Sequence, residues 1–314
     1  YAAGANLFCV DANTGKLIKT FGDNGKLDLH NDLDRDVADL YIAMTSPGII
    51  YKDMIIIGSR VNENAAAAPG YIRAYDVHTG KLKWKFHTIP KPGEEGYDSW
   101  EDKEAWKNIG GVNAWAGFSL DEKRGIVYAP LGSASYDFYG GKRLGANLFA
   151  NSILALDAAT GKKVWHFQTV HHDVWDRDLP TAPALVTITK EGKQIDALAQ
   201  PTKTGFVFLL DRTNGKPIYP INEVPVPTNT ELVGEKLSST QPWPTVIEPF
   251  VRQAFTEKDV NNLITREEQT EIKNKLAKLN TGFMFNPSSK NGTVIFPGFD
   301  GGAEWGGPAF DPKT

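Results

Sequence analysis

The chain has 314 residues and a formal net charge of -4, with 30 Gly, 19 Pro, 8 Trp, 10 Tyr and 16 Phe. The absence of a basic stripe sets nucleic acid aside as a partner. The single cysteine, Cys9, excludes an internal disulfide framework and a Cys-rich metal site, and reads as a small buried strand residue. No apolar run approaches the roughly 20 residues needed to span a bilayer. Abundant glycine, proline and aromatics with scarce helical periodicity favour one large all-β domain of many short strands.

The first predicted element closes at DANTGK from Asp11, and the same pattern returns as DVHTGK from Asp76, DAATGK from Asp157 and DRTNGK from Asp211. Each copy follows an alternating apolar run, as a β-hairpin requires. The Asp side chain closes the turn, Gly takes the φ > 0 position and Lys starts the returning strand. A large aromatic follows at a fixed distance in three copies, as Trp84, Trp165 and Tyr219; in the first copy Lys19 holds that position and Phe21 is expected to fill the role. Hairpins that cannot bury their own faces must stack on neighbours, and aromatics recurring near strand ends point to wedges between the blades of a β-propeller.

Residues 47–59 read as two strands about a turn at Lys52-Asp53, residues 87–110 as a Pro/Gly-rich insertion, and residues 125–133 as another strand. The stretch TVHHDVWDRDLP, from Thr169 to Pro180, gathers His171, His172, Asp173, Asp176 and Asp178 around Trp175. So many ionisable groups disfavour a strand or helix interior, because each costs several kcal/mol if buried without a partner. It reads as a loop that collects chemistry.

Residues 222–262 are Pro-rich and read as a long surface loop with extended pieces at PVP and PWP. One helix is expected from Thr265, with a Thr265/Glu268 capping box and Ile272, Leu276 and Leu279 on one face. Residues 222–290 are thus expected to form a loop and helix insertion within a single partial propeller spanning 1–314. A fifth repeat begins with AFDPKT from Ala309, which leads us to expect a segment of a longer chain.

The repeats, followed through DAATGKKVWHFQTVHHDVWDRDLP and AQPTKTGFVFLLDRTNG, resemble the pyrroloquinoline quinone (PQQ) dependent dehydrogenases. These quinoproteins are eight-bladed propellers that include the membrane-bound glucose dehydrogenases and the methanol and ethanol dehydrogenases. The most specific stretch, His-His-Asp-x-Trp-Asp followed later by Lys-Thr-Gly, is most similar to the glucose dehydrogenase branch. The resemblance covers nearly the whole chain and implies about four blades here.

It further implies PQQ in a central channel, stacked on a Trp, with Ca²⁺ or another divalent cation or lanthanide beside it. A substrate hydroxyl loses its proton to an Asp while a hydride passes to the quinone. Asp176 matches the general base, Trp115 the stacking residue, and Lys203 the cation at the quinone oxygens. The glycines flanking Trp115 are expected to let a flat ring approach the backbone. Arg60 and Thr45 fall in loops that hold the cofactor's carboxylates, and Glu304 falls where alcohol dehydrogenases often have an Asn.

For the metal, Glu63 matches a ligating Glu, Asp176 is shared with catalysis, and Asp178 matches an extra ligand of lanthanide-using relatives. If the segment is extended, Asp178 points the same way as Asp176. Ser133 stands where the family has a ligating Asn, a departure that Asp137 could compensate. His171 and His172 lack the spacing of zinc sites; one is expected to order the Asp loop, and contact with substrate is open.

The implied activity is oxidation of an alcohol or sugar hydroxyl in the periplasm, with a quinone or cytochrome c as electron acceptor. Membrane association of the parent is open. The alternative is a non-catalytic propeller serving as a protein-binding platform in the periplasm or at the outer membrane. A hydrolase using Asp176 and Asp178 as acid and base ranks last, because carboxylates two residues apart are poorly placed to flank a bond. No Cys-x-x-Cys-His appears, so no haem c is attached within these residues.

Overall fold

The computed structural model describes residues 1–311, so Pro312 to Thr314, the end of the expected fifth repeat, lie outside the described residues. Strands Ile49–Tyr51, Met54–Ile57, Ile72–Asp76 and Leu82–Phe86 form one four-stranded antiparallel sheet. Ser119–Asp121, Ile126–Pro130, Ser152–Asp157 and Lys163–Gln168 form a second. Ala184–Lys190, Lys193–Pro201 and Val207–Asp211 make a three-stranded sheet, extended by a bridge from Leu210 to Pro217. The first repeat is thinner, with Ala2–Ala3, Asn6–Phe8 and Lys26–Asp28.

The repeat turns are built alike. Asp11, Asp76 and Asp157 each accept from the backbone N–H groups two and three residues on and from the following Thr hydroxyl. Asp211 accepts from the N–H and hydroxyl of Thr213. The glycine of each copy is left-handed, with φ of 69, 68, 69 and 72° at Gly15, Gly80, Gly161 and Gly215. That conformation carries little penalty without a Cβ.

These glycines also explain the spacing of the aromatics. The Trp84 ring covers Gly161 of the next repeat, where a Cβ would lie 2.4 Å from the ring, and its indole N–H donates to the Ala158 carbonyl at 3.1 Å. Trp165 repeats the contact one sheet later, over Gly215 and with the Arg212 carbonyl at 3.0 Å. In the first repeat Phe21 lies against Gly80, and the Gly22 N–H donates to the Thr79 carbonyl at 2.9 Å. The core therefore lies between sheets. One cluster joins Ile56, Ile72 and Trp84 to Val127 and Leu154, and the next joins Tyr128, Ile153 and Trp165 to Leu198 and Leu210.

The insertion after residue 87 is not a free loop. Ile89, Trp100 and Ile109 are buried in the first of those clusters, and the Trp100 indole donates to the Leu148 carbonyl at 2.6 Å. The expectation of a surface loop over 222–262 is corrected: Ile221–Pro225 and Thr240–Pro244 pair as an antiparallel hairpin. Prolines are tolerated there because the sheet has two strands, so both are edges where an absent N–H can face outward. The expected helix forms at Arg266–Leu276 with the Thr265/Glu268 box in place. No helix of the described residues is long and apolar enough to cross a membrane.

Candidate active site

Segments beside the two four-stranded sheets and the three-stranded sheet meet at one cavity of about 450 Å³, a volume in the ~300–1,000 Å³ range of small-molecule sites. Thr45, Arg60, Glu63, Trp115, Ser133, Asp137, Asp176, Asp178 and Lys203 all line it. Sequence reasoning missed Asn62, Asn113 and Trp305, which also face it. The residue after Glu304 in a Gly-rich segment was the available signal for Trp305. Glu304 itself is exposed and outside the lining, though its charge helps to raise the pKa of Lys203.

The loop that carries Asp176 is organised by Asp173, which is buried. Its carboxylate accepts from the N–H groups of Trp175 at 2.9 Å and Arg177 at 2.6 Å, from Asn151 Nδ2 at 2.9 Å, and from the Ser133 hydroxyl. Buried Arg143 donates to its main-chain carbonyl. The sequence shows three carboxylates in this stretch, and nothing in their spacing reveals which one turns inward as a structural acceptor.

The histidines do not reach the cavity. His171 and His172 line a separate cavity of about 350 Å³ with Glu101, Lys236 and Ser238. His171 Nδ1 lies 2.7 Å from Gln168 Oε1 and its Nε2 3.0 Å from Glu223 Oε1, which ties the loop to the 221–225 strand. His172 donates from Nδ1 to the Gly145 carbonyl at 2.7 Å, and burial pushes its pKa down to about 4. Neither ring lines the Asp176 cavity; His171 helps to order the Asp loop from outside, and Asp173 orders it from within.

Asp176 has φ 56°, a left-handed backbone uncommon for a residue with a Cβ and costing of order 1–3 kcal/mol. The segment is therefore not extended, yet Asp176 and Asp178 both face the cavity. Burial first, then repulsion from Asp178, pushes the Asp176 carboxyl up to about 8, against the pull of Lys203. Lys203 Nζ lies 3.1 Å from Asp176 Oδ2. Asp137, buried and surrounded by Asp178, Asp176 and Glu63, is pushed up to about 9.

Asp178 is held differently. Its Oδ2 accepts the Trp115 indole N–H at 2.7 Å and its Oδ1 the Ser133 N–H at 2.6 Å. The Trp115 carbonyl accepts from Thr45 Oγ1 at 3.1 Å and Ser46 Oγ at 2.7 Å. The glycines before Trp115 also pack closely against backbone: a Cβ at Gly110 would lie 2.2 Å from the Ala67 carbonyl oxygen, and one at Gly111, which lines the cavity, 2.6 Å from that of Ser133. The Ser133 hydroxyl is engaged by Asp173 and Asn151.

These features define what the cavity can hold. An aromatic wall at Trp115 with Arg60 and Lys203 nearby suits a flat, anionic cofactor. Four carboxylates, Glu63, Asp137, Asp176 and Asp178, face the same space, and their crowding favours a hard cation. Among the described residues no three His, Cys, Asp or Glu side chains converge into a ready-made metal cage.

A propeller of stacked antiparallel sheets with this cavity defines the class, and residues 1–314 match the family described as PQQ, glucose/ethanol/alcohol dehydrogenase, β-propeller domain. The chain belongs to that family of quinoprotein dehydrogenases. It is 38% identical over 314 residues to quinoprotein glucose dehydrogenase A of Acinetobacter calcoaceticus, covering 98% of this chain and 38% of that protein. Against quinoprotein glucose dehydrogenase of Escherichia coli K12 it is 36% identical over 315 residues, with the same two coverages. Among solved structures, the quinohemoprotein alcohol dehydrogenase of Comamonas testosteroni superposes with TM-score 0.59 at 28% identity, over 78% of this chain and 36% of that one. The chain spans well under half the length of these relatives.

Proposed function

We propose that the protein is a PQQ-dependent dehydrogenase that oxidises an alcohol or sugar hydroxyl, with Asp176 as the general base. The observation that carries this reading is the pairing of a buried carboxylate with Lys203 beside the Trp115 wall in one cavity. A protein-binding platform has no use for buried like charges, which cost stability.

Asp176 takes the proton of the substrate hydroxyl. A base works best with a pKa near the operating pH, and one placed in this way contributes about 10²–10⁴-fold. Lys203 holds the carboxylate by its 3.1 Å contact and favours the ionised form that accepts the proton. PQQ, when bound, supplies the two-electron acceptor. Trp115 would carry its flat face, Arg60 and Thr45 would meet its carboxylates, and Lys203 would also stabilise its quinone oxygens. Ca²⁺ or another divalent cation or lanthanide, when bound, would draw Glu63, Asp137 and Asp176 in around it and would supply a Lewis acid beside the cofactor. Ser133, with its hydroxyl committed to Asp173, is a weaker ligand than Asp137.

The substrate class is a polyol, sugar or cyclic alcohol, the electron acceptor a quinone or cytochrome c, and the location the periplasm. The relatives named glucose dehydrogenase support the substrate class. The test is to load the intact protein with PQQ and Ca²⁺ or a lanthanide and follow dye reduction across alcohols and sugars. No turnover with any of them, and no PQQ absorbance retained, would overturn the reading.

A further inference from the structure

We propose that Asp178 is a positioning residue that sets the angle of the Trp115 indole, and through it the flat wall of the cavity. The proposal rests on the cofactor reading above and adds a role for a carboxylate expected only as a metal ligand.

Three observations carry it. First, the two Asp178 oxygens are engaged by N–H groups of two different segments, Trp115 Nε1 at 2.7 Å and Ser133 N at 2.6 Å. The carboxylate cannot rotate without breaking one of two charge-assisted bonds, which are the stronger kind. Second, the room for it is made by a missing side chain. A Cβ at Gly132 would lie 2.7 to 2.9 Å from all three carboxyl atoms of Asp178. Third, Trp115 is anchored at its other end, where Thr45 and Ser46 both donate to its carbonyl. With the carbonyl and the indole N–H both fixed, the side-chain torsions of Trp115 have little freedom left.

Asp178 also repels Asp176 and is a main cause of its raised pKa after burial. One carboxylate thus touches the aromatic wall directly and the base through space. A metal-ligand role predicts something else: loss of cation binding with the Trp115 ring unmoved.

The experiment uses the intact protein and the variants Asp178→Asn, Trp115→Phe and Gly132→Ala, with two readouts. The near-UV circular dichroism of the PQQ-free protein, as the difference between wild type and Trp115→Phe, isolates the Trp115 band. That band should collapse in Asp178→Asn and in Gly132→Ala, which keeps the charge but displaces the carboxylate. PQQ affinity, titrated by fluorescence quenching, should fall about tenfold in Asp178→Asn, as expected for a lost hydrogen bond to a charged group. In the Trp115→Phe background the same substitution should have little further effect. An unchanged Trp115 band in both Asp178→Asn and Gly132→Ala, or multiplicative effects on affinity, overturns the proposal. If the wild type fails to bind PQQ, the cofactor reading falls, while the dichroism band still decides the role of Asp178.

Discussion

Lys203 Nζ sits 3.1 Å from Asp176 Oδ2, and the two side chains retain only 8% and 15% of their exposure. A buried acid and a buried base in direct contact are each shifted by the other, and removal of either partner leaves an uncompensated group. Asp176→Asn should lower turnover by about 10²–10⁴-fold, the range of a lost general base, while PQQ absorbance is retained. Dye-linked assays of the reconstituted variant check this. Turnover within tenfold of wild type would reject Asp176 as the base.

Lys203→Met removes the cation that holds the Asp176 carboxyl down. The acid limb of kcat/KM should move to higher pH, because a base that protonates more readily needs a more alkaline solution to be ionised. A pH profile of Lys203→Met beside wild type measures the displacement. A limb moved to lower pH contradicts the assigned pairing.

The stability of the metal-free protein should depend on pH through Asp137 and Asp176. Their folded pKa values, about 9 and about 8, lie above the ordinary 3.8. Between these limits the native state holds protons that the unfolded chain has released, so stability falls as pH rises. Asp137→Asn should flatten that fall, and Ca²⁺ should raise the melting temperature more at pH 9 than at pH 5. Thermal melts with and without Ca²⁺ test both points; a melting temperature that rises with pH in the metal-free protein defeats the argument.

Asp173 should behave unlike Asp176 despite standing three positions away. Asp173→Ala leaves the N–H groups of Trp175 and Arg177, the Ser133 hydroxyl and Asn151 Nδ2 without their acceptor. Each buried unsatisfied group costs about 1–3 kcal/mol, so stability and activity should fall together. Urea unfolding compared with Asp176→Asn separates the two roles.

The wedge between sheets gives a third kind of outcome. Trp165→Ala should cost about 3–5 kcal/mol, the range for a large core aromatic. Gly215→Ala, at φ 72° and with a Cβ 2.6 Å from the Trp165 ring, should also destabilise. Denaturant midpoints of both variants give the comparison, and a Gly215→Ala protein as stable as wild type would refute the contact.

How far the sequence reached follows from the physics of each element. Turns were legible because Asp, Thr and Gly each have a local job there, repeated in four places. The cavity-lining residues were legible only through resemblance, since Thr45, Trp115 and Lys203 are far apart in the chain and no local rule brings them together. The hairpin at 221–225 and 240–244 was missed because its prolines argue against a strand unless both edges are known to be free. The inward turn of Asp173 was missed because burial is set by Ser133 and Asn151, which flank neighbouring strands of the same sheet but stand 40 and 22 residues away in the chain.

The glycines of the second, third and fourth repeats, Gly80, Gly161 and Gly215, read above as turn residues, are also seats for an aromatic that belongs to the preceding repeat. Neighbouring repeats are therefore interlocked by a plug from one and a socket from the next. An insertion inside one repeat could be accommodated in its loops without disturbing that fit. Removing a whole repeat between Trp84 and Trp165 would preserve the interlock, because any remaining turn offers the same seat, but it would take Trp115 and the Ser133 amide out of the cavity. The stacking is interchangeable among repeats; the cavity is not.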